Sequence, residues 1–155
     1  MVPSHDHDDK TARDVWHCIR GLIASPDVVA NEHQFMHEVG LGAGPVRALR
    51  ALLAVGPQSM RTLAEYLSCD KSYVTGLVKP LQANELVTLE PCSSDGRVKI
   101  VNLTPHGTVI ARQAQQVHET PPEVLGRLEA SDLDQLRAIL ERLGAPSRGS
   151  HSCGT

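Results

Sequence analysis

The chain has 155 residues, a formal charge of −3, 41% apolar and 3% aromatic residues. That length suits one domain with helical extensions, and its core has to be aliphatic, built from Leu, Val, Ala and Ile. The charge excludes an evenly basic coat, although a local basic face remains compatible with it.

No run of about 18 apolar residues marks a membrane span. The N-terminus has His and Asp with no apolar stretch behind them, so no signal peptide is read and a cytoplasmic location is expected. Cys18, Cys69, Cys92 and Cys153 are widely spaced, with no CxxC pair. They suggest neither a zinc knuckle nor a disulfide framework, and in a reducing cytosol they are expected as thiols.

In chain order, residues 1–9 read as a disordered polar arm. A first helix is expected over Lys10–Ala24, with Val15, Cys18, Ile19, Leu22 and Ile23 at helical spacing. Ser25-Pro26-Asp27 breaks it, and a second helical piece runs to about Glu38. Gly40–Gly44 ends that piece, and Pro45 suits the first turn of the next helix, which carries Val46, Leu49, Leu52 and Leu53.

Ser59 is a good N-cap for a short helix with Leu63, Ala64 and Leu67 on one face. Ser68-Cys69-Asp70 is the turn, and Asp70 caps a further helix. There Val74, Leu77, Val78 and Leu81 form one buried stripe. The period then changes. Leu86–Leu89 and Val98–Leu103 read as strands, joined by the turn residues Ser93-Ser94-Asp95-Gly96. Thr104 caps a long helix running to about His118. After Pro121-Pro122, a last helix is expected with Ser131 as its N-cap. Residues 145–155 read as a disordered tail.

Two short helices joined by a tight turn and followed by a hairpin make a winged helix-turn-helix. The second helix fits the major groove of DNA, and the hairpin reaches the minor groove or phosphates. With its apolar stripe buried, that helix exposes Lys71, Ser72, Tyr73, Thr75, Gly76 and Lys79 to bases and phosphates. Arg97 lies at the hairpin tip with Lys99 behind it. Asp95 is placed to orient the Arg97 guanidinium. Arg47 and Arg50, on the preceding helix, are candidates for further phosphate contacts.

The block GPQSMRTLAEYLSCDKSYVTGLVKPLQANELVTLEPCSSDGRVKIVNLTPHG resembles the DNA-binding core of the MarR family. LAEYL, SYVTGLVKPL, the LV strand start, the DGR wing and VNLTPHG carry the likeness. LEASDLDQLRAILERL is similar to that family's closing dimerisation helix, and the resemblance covers roughly residues 10–144. It implies a mainly helical fold with a small β-hairpin wing. It divides the chain into dimerisation helices over 10–45, the DNA-binding region over 46–104, and a long helix with the closing dimerisation helix over 105–144.

The resemblance also implies a homodimer that binds a pseudo-palindromic operator in double-stranded DNA, usually represses, and lets go on meeting an effector. Gly76 stands where many members carry a base-contacting arginine. Glu85 replaces the glycine that usually precedes the LV strand. Pro80 removes a backbone bond to the Gly76 carbonyl and is expected to kink the reading helix. Over residues 59–104, Arg61, Lys71, Lys79, Arg97 and Lys99 are balanced by Glu65, Asp70, Glu85, Glu90 and Asp95. A shallow salt dependence is therefore expected.

Three effector classes compete. A small molecule in a crevice beside the reading head has Trp16, His17, His33, His37, Arg47 and Arg50 near it, and this reading rests on the resemblance. A thiol switch would use Cys18, which falls on the apolar stripe of its helix and shares a face with Asp14; both features disfavour a thiolate, and burial is expected. A metal would use His33 and His37, spaced i, i+4, with His118 as a third ligand, although a closed zinc site needs four. No permanent cofactor is implied. Leu125, Leu128, Leu133, Leu136, Ile139, Leu140 and Leu143 need a packing partner, either residues 10–24 or a second copy.

Two further classes remain. No GxSxG, HExxH, P-loop or dinucleotide fingerprint supports an enzyme. A winged helix that binds protein instead of DNA is the other alternative, favoured by Gly76, Pro80 and the balanced charge.

Overall fold

The computed structural model describes residues 5–144, with side chains from Asp9 onward. Residues 1–4 and 145–155, which belong to the expected arm and tail, lie outside the described residues, as does Cys153. The chain forms two compact units, one ending at Thr120 and one beginning at Pro121.

The first unit holds α1 (His5–Ile23), α2 (Pro26–Val39), α3 (Ala43–Val55), β1 (Gln58–Ser59), α4 (Met60–Leu67), α5 (Lys71–Ala83), β2 (Val87–Pro91), β3 (Lys99–Leu103) and α6 (Pro105–Glu119). α1 begins five residues before the expected Lys10 start, inside the stretch expected as an arm. Its break falls at Ser25, and Pro26 occupies the first turn of α2, where the missing N–H costs nothing. Gly40 closes α2 in the left-handed region at φ 64°, and the Leu41 N–H returns to the Met36 carbonyl at 3.1 Å.

The sheet order is β1-β3-β2, all antiparallel. Leu89 and Gln58 both face Val101 across the ladders. β1 is two residues long and was not foreseen from sequence. Val101 is fully buried in an aliphatic core with Leu49, Leu52, Leu63, Val74, Val78 and Leu81. The aromatic-poor composition predicts that kind of core. α6 presses a face of Gly107, Ala111 and Ala114 inward and packs on α3.

The second unit holds a 3₁₀ turn (Glu123–Arg127) and α7 (Ala130–Arg142). The cap of α7 is Glu129 rather than Ser131, and its side chain makes no capping bond. α7 contains no buried residue. Among the described residues, no helix is long and apolar enough to cross a membrane.

One close approach fixes the start of β2 against α6. The Thr104 N–H donates to the Leu86 carbonyl at 3.0 Å, and the Thr104 hydroxyl donates to the Glu85 carbonyl at 2.8 Å. A methyl group on Gly107 would collide with the Leu86 carbonyl oxygen, which is backbone and cannot yield. Gly107→Ala is therefore expected to destabilise the protein by more than about 2 kcal/mol, read as a fall in Cm at constant m. An unchanged Cm would show that the strand start can slide away.

Candidate DNA-reading interface

The turn between α4 and α5 is built from local hydrogen bonds. Ser59 caps α4 by accepting from the Thr62 N–H at 3.1 Å. Ser68 ends α4 in the left-handed region at φ 53°, and the Cys69 N–H returns to the Ala64 carbonyl at 3.0 Å. Asp70 then starts α5. Its carboxylate accepts from the Tyr73 N–H at 2.8 Å and from the Ser72 hydroxyl. The Ser72 hydroxyl and then the Tyr73 N–H hold the Asp70 carboxyl below the ordinary aspartate range.

The stripe Val74, Leu77, Val78 and Leu81 is buried as expected, and α5 continues through Pro80 to Ala83 without interruption. Lys71, Ser72, Thr75, Gly76 and Lys79 face solvent. Two of their hydroxyls are already committed, since Ser72 donates to Asp70 and Thr75 donates to the Lys71 carbonyl at 3.0 Å. Tyr73 is half exposed but lies to one side of the helix. A methyl group on Gly44, in the first turn of α3, would sit 3.2 Å from the Tyr73 hydroxyl and 2.5 Å from the Leu77 side chain. Glycine at position 44 lets α3 approach α5 this closely.

The hairpin is closed by Cys92 N–H to Val98 carbonyl at 2.8 Å and Val98 N–H to Asp95 carbonyl at 2.9 Å. Asp95 does not bind the Arg97 guanidinium. Its carboxylate accepts instead from the Arg97 backbone N–H at 3.0 Å, because a side chain two residues back reaches the main chain of a tight turn more easily than an extended arginine. Among the described residues, no carboxylate lies within ion-pair distance of that guanidinium. Lys99 is exposed on β3. The Cys92 thiol, beside the turn, is shifted down by the Ser94 hydroxyl at 3.2 Å and by the Ser94 and Asp95 N–H groups.

Arg47 and Arg50, expected on phosphates, are both engaged within the protein. Arg47 donates to the Leu67 carbonyl, the last of α4, at 2.9 Å. Arg50 donates to the Gln115 side chain at 3.0 Å, and partial burial lowers its pKa against the raising influence of Glu32 and Glu119. Both arginines and His118 line two adjoining crevices of about 180 and 470 Å³ beside α3 and α6. Of the residues expected around an effector, Arg47 and Arg50 are there. Trp16, His17, His33 and His37 do not line these crevices and are exposed. Glu32, Gln115 and Tyr66 are lining residues that the sequence did not reveal, since only the packing of α2, α4 and α6 around α3 assembles them.

His118 Nδ1 sits 3.3 Å from the Glu32 carboxylate instead of joining His33 and His37. Among the described residues, no group of three His, Cys, Asp or Glu is placed to hold a metal ion. Cys18 is exposed, contrary to the expected burial, because its helix makes little contact with the rest of the first unit.

These elements define a winged helix-turn-helix protein. A family model described as the MarR family matches residues 39–98. The HTH-type transcriptional repressor NicR of Pseudomonas putida is 31% identical over 99 residues, which are 61% of this chain and 61% of that protein. The match therefore spans less than two thirds of that relative's length. Among solved structures, the YusO protein from Bacillus subtilis superposes with a TM-score of 0.68 at 18% identity, covering 90% of this chain and 98% of that one. The reduced form of MarR from E. coli gives 0.68 at 20% identity, covering 82% and 93%. The chain is thus similar to the MarR family over residues 39–98 and shares the fold of MarR from E. coli.

The depressed Asp70 carboxyl gives the cap a pH signature. Its extra stabilisation is complete above the unfolded aspartate value of about 4, and is lost as pH falls through the lower folded value. The Tm gap between the parent and Asp70→Ala should therefore be constant between about pH 5 and 7 and narrow toward pH 3. A gap that widens on acidification would contradict the charged cap.

Proposed function

We propose that the protein is a homodimeric DNA-binding regulator, acting as a repressor in the cytoplasm, that binds a pseudo-palindromic operator and is released by a small anionic effector. The observation that carries the reading is the pairing of an exposed, well-capped α5 with a hairpin whose Arg97 guanidinium has no carboxylate partner among the described residues. Lys71 and Lys79 on α5 and Lys99 on the wing add cations for phosphates. Arg61 is spent on Glu65 at 3.0 Å. The relative NicR is named as a repressor.

Dimerisation is supported by apolar surface that a soluble monomer would leave wet. Val15, Trp16 and Ile23 on α1 are exposed, as are Leu133 and Ile139 on α7 and Leu143 just after it. A two-fold pair built from these helices presents two reading heads, which requires half-sites about one helical turn apart.

The effector proposal rests on Arg47, Arg50 and His118 converging on the crevices, where a carboxylate finds charge-assisted donors. Arg47 also provides a route to the head. An anion that draws its guanidinium away releases the Leu67 carbonyl at the mouth of the turn before α5.

The test is a gel shift of the full chain on DNA flanking its own gene, repeated across salt concentrations. Binding should weaken with salt. Arg97→Ala removes one phosphate contact per protomer, so affinity should fall roughly tenfold and the log–log salt slope should shrink by about 2 for the dimer. A folded dimer that shows no salt-sensitive binding would favour a protein partner for the winged helix instead.

A further inference from the structure

We propose that α5 reads thymine methyl groups, with Gly76 providing the close approach to them. This rests on the reading of the chain as a DNA binder. Glycine in a helix interior weakens the helix relative to alanine, so it calls for a reason. Two usual reasons do not apply. Gly76 is not among the glycines with positive φ, and a methyl group built on it meets nothing within 4 Å. Gly44 and Gly107 differ, because a methyl on either collides with the protein. Pro80 leaves the Gly76 carbonyl without its helical partner, and the open side of Gly76 leaves room for a group from outside the chain.

Its position shows where. At 100° per residue, Gly76 falls opposite the centre of the buried stripe formed by Val74, Leu77, Val78 and Leu81. It therefore lies on the ridge that a groove floor meets, together with Ser72 and Lys79. Ser72 precedes it by one turn, and Thr75 is its neighbour. Both have turned their hydroxyl protons back, to Asp70 and to the Lys71 carbonyl. No guanidinium or amide stands at this ridge to bond guanine or adenine in bidentate fashion.

Apart from the Lys79 ammonium, what remains on this ridge is Cα–H surface and the neighbouring Thr75 methyl, with Lys71 nearby for the backbone phosphates. In the major groove, the apolar feature that distinguishes one base pair from another is the thymine C5 methyl. A bare helix ridge can close on it, whereas a Cβ at position 76 would occupy the same space.

The experiment uses the full-length protein and duplexes that it selects from a random double-stranded pool. Each thymine in the selected site is replaced in turn by deoxyuridine, which keeps the pairing edge and removes only the methyl. The expected result is a loss of about fourfold at one thymine position in each half-site. Gly76→Ala is the paired variant. It should raise Tm, bind the selected duplex more weakly, and lose its sensitivity to deoxyuridine at that one position while keeping the parent's pattern elsewhere.

If every deoxyuridine substitution changes affinity by less than about twofold, methyl readout is wrong. If Gly76→Ala raises Tm and keeps the parent's affinity and pattern, Gly76 does not face a base. In both cases salt-sensitive binding would persist and the regulator reading would stand. Failure of the folded protein to select any duplex would overturn both.

Discussion

Strand β3 is the constraint on which the reading head depends. It pairs on one side with β1, which runs directly into α4, and on the other with β2, which follows α5. Both helices of the helix-turn-helix are thus anchored, one at its start and one past its end, to the same five-residue strand. Val101 is fully buried at the centre of that strand. The Thr104 cap, immediately after it, bonds back to Glu85 and Leu86 at the start of β2. The angle between α4 and α5 is therefore set by hydrogen bonds at their far ends as well as by the aliphatic contacts between them. The aliphatic cluster around the reading head can hold a defined helix angle because the sheet supplies the directional bonds that dispersion lacks.

The electrostatic design is economical. The head carries as many acids as bases, yet those whose partners are clear are spent locally. Asp70 caps α5, Asp95 closes the wing turn, and Glu65 is paired with Arg61. The cations on α5 and the wing are left to act outward. Net charge over the segment therefore understates the positive potential at the exposed face of α5 and the wing, because carboxylates bonded to backbone N–H groups are partly compensated where they stand.

Much of this was legible in the sequence because it is local. The caps at Ser59, Asp70 and Thr104 each involve a side chain and a backbone N–H three residues apart, and the buried stripe of α5 follows from the helical period alone. What escaped depends on distant chain segments or on rotamers. β1 exists only because β3 lies beside it. Arg50 meets Gln115 across 65 positions, and Arg47 meets Leu67 across 20, so neither could be taken from phosphate duty by reading along the chain. The same holds for His118, whose partner is Glu32 and not the histidine pair of α2. Cys18 differs for the opposite reason: its helix has the period of a buried face, but Cys18, Val15 and Trp16 are exposed.

On the proposed reading, two such heads are carried by one dimer and address the same face of a duplex. Hydroxyl-radical footprinting of the full-length protein on its selected duplex tests that most directly. The account predicts two protected windows per strand, centred about one helical turn apart and weakening together as salt is raised. A single window, or protection indifferent to salt, would contradict it.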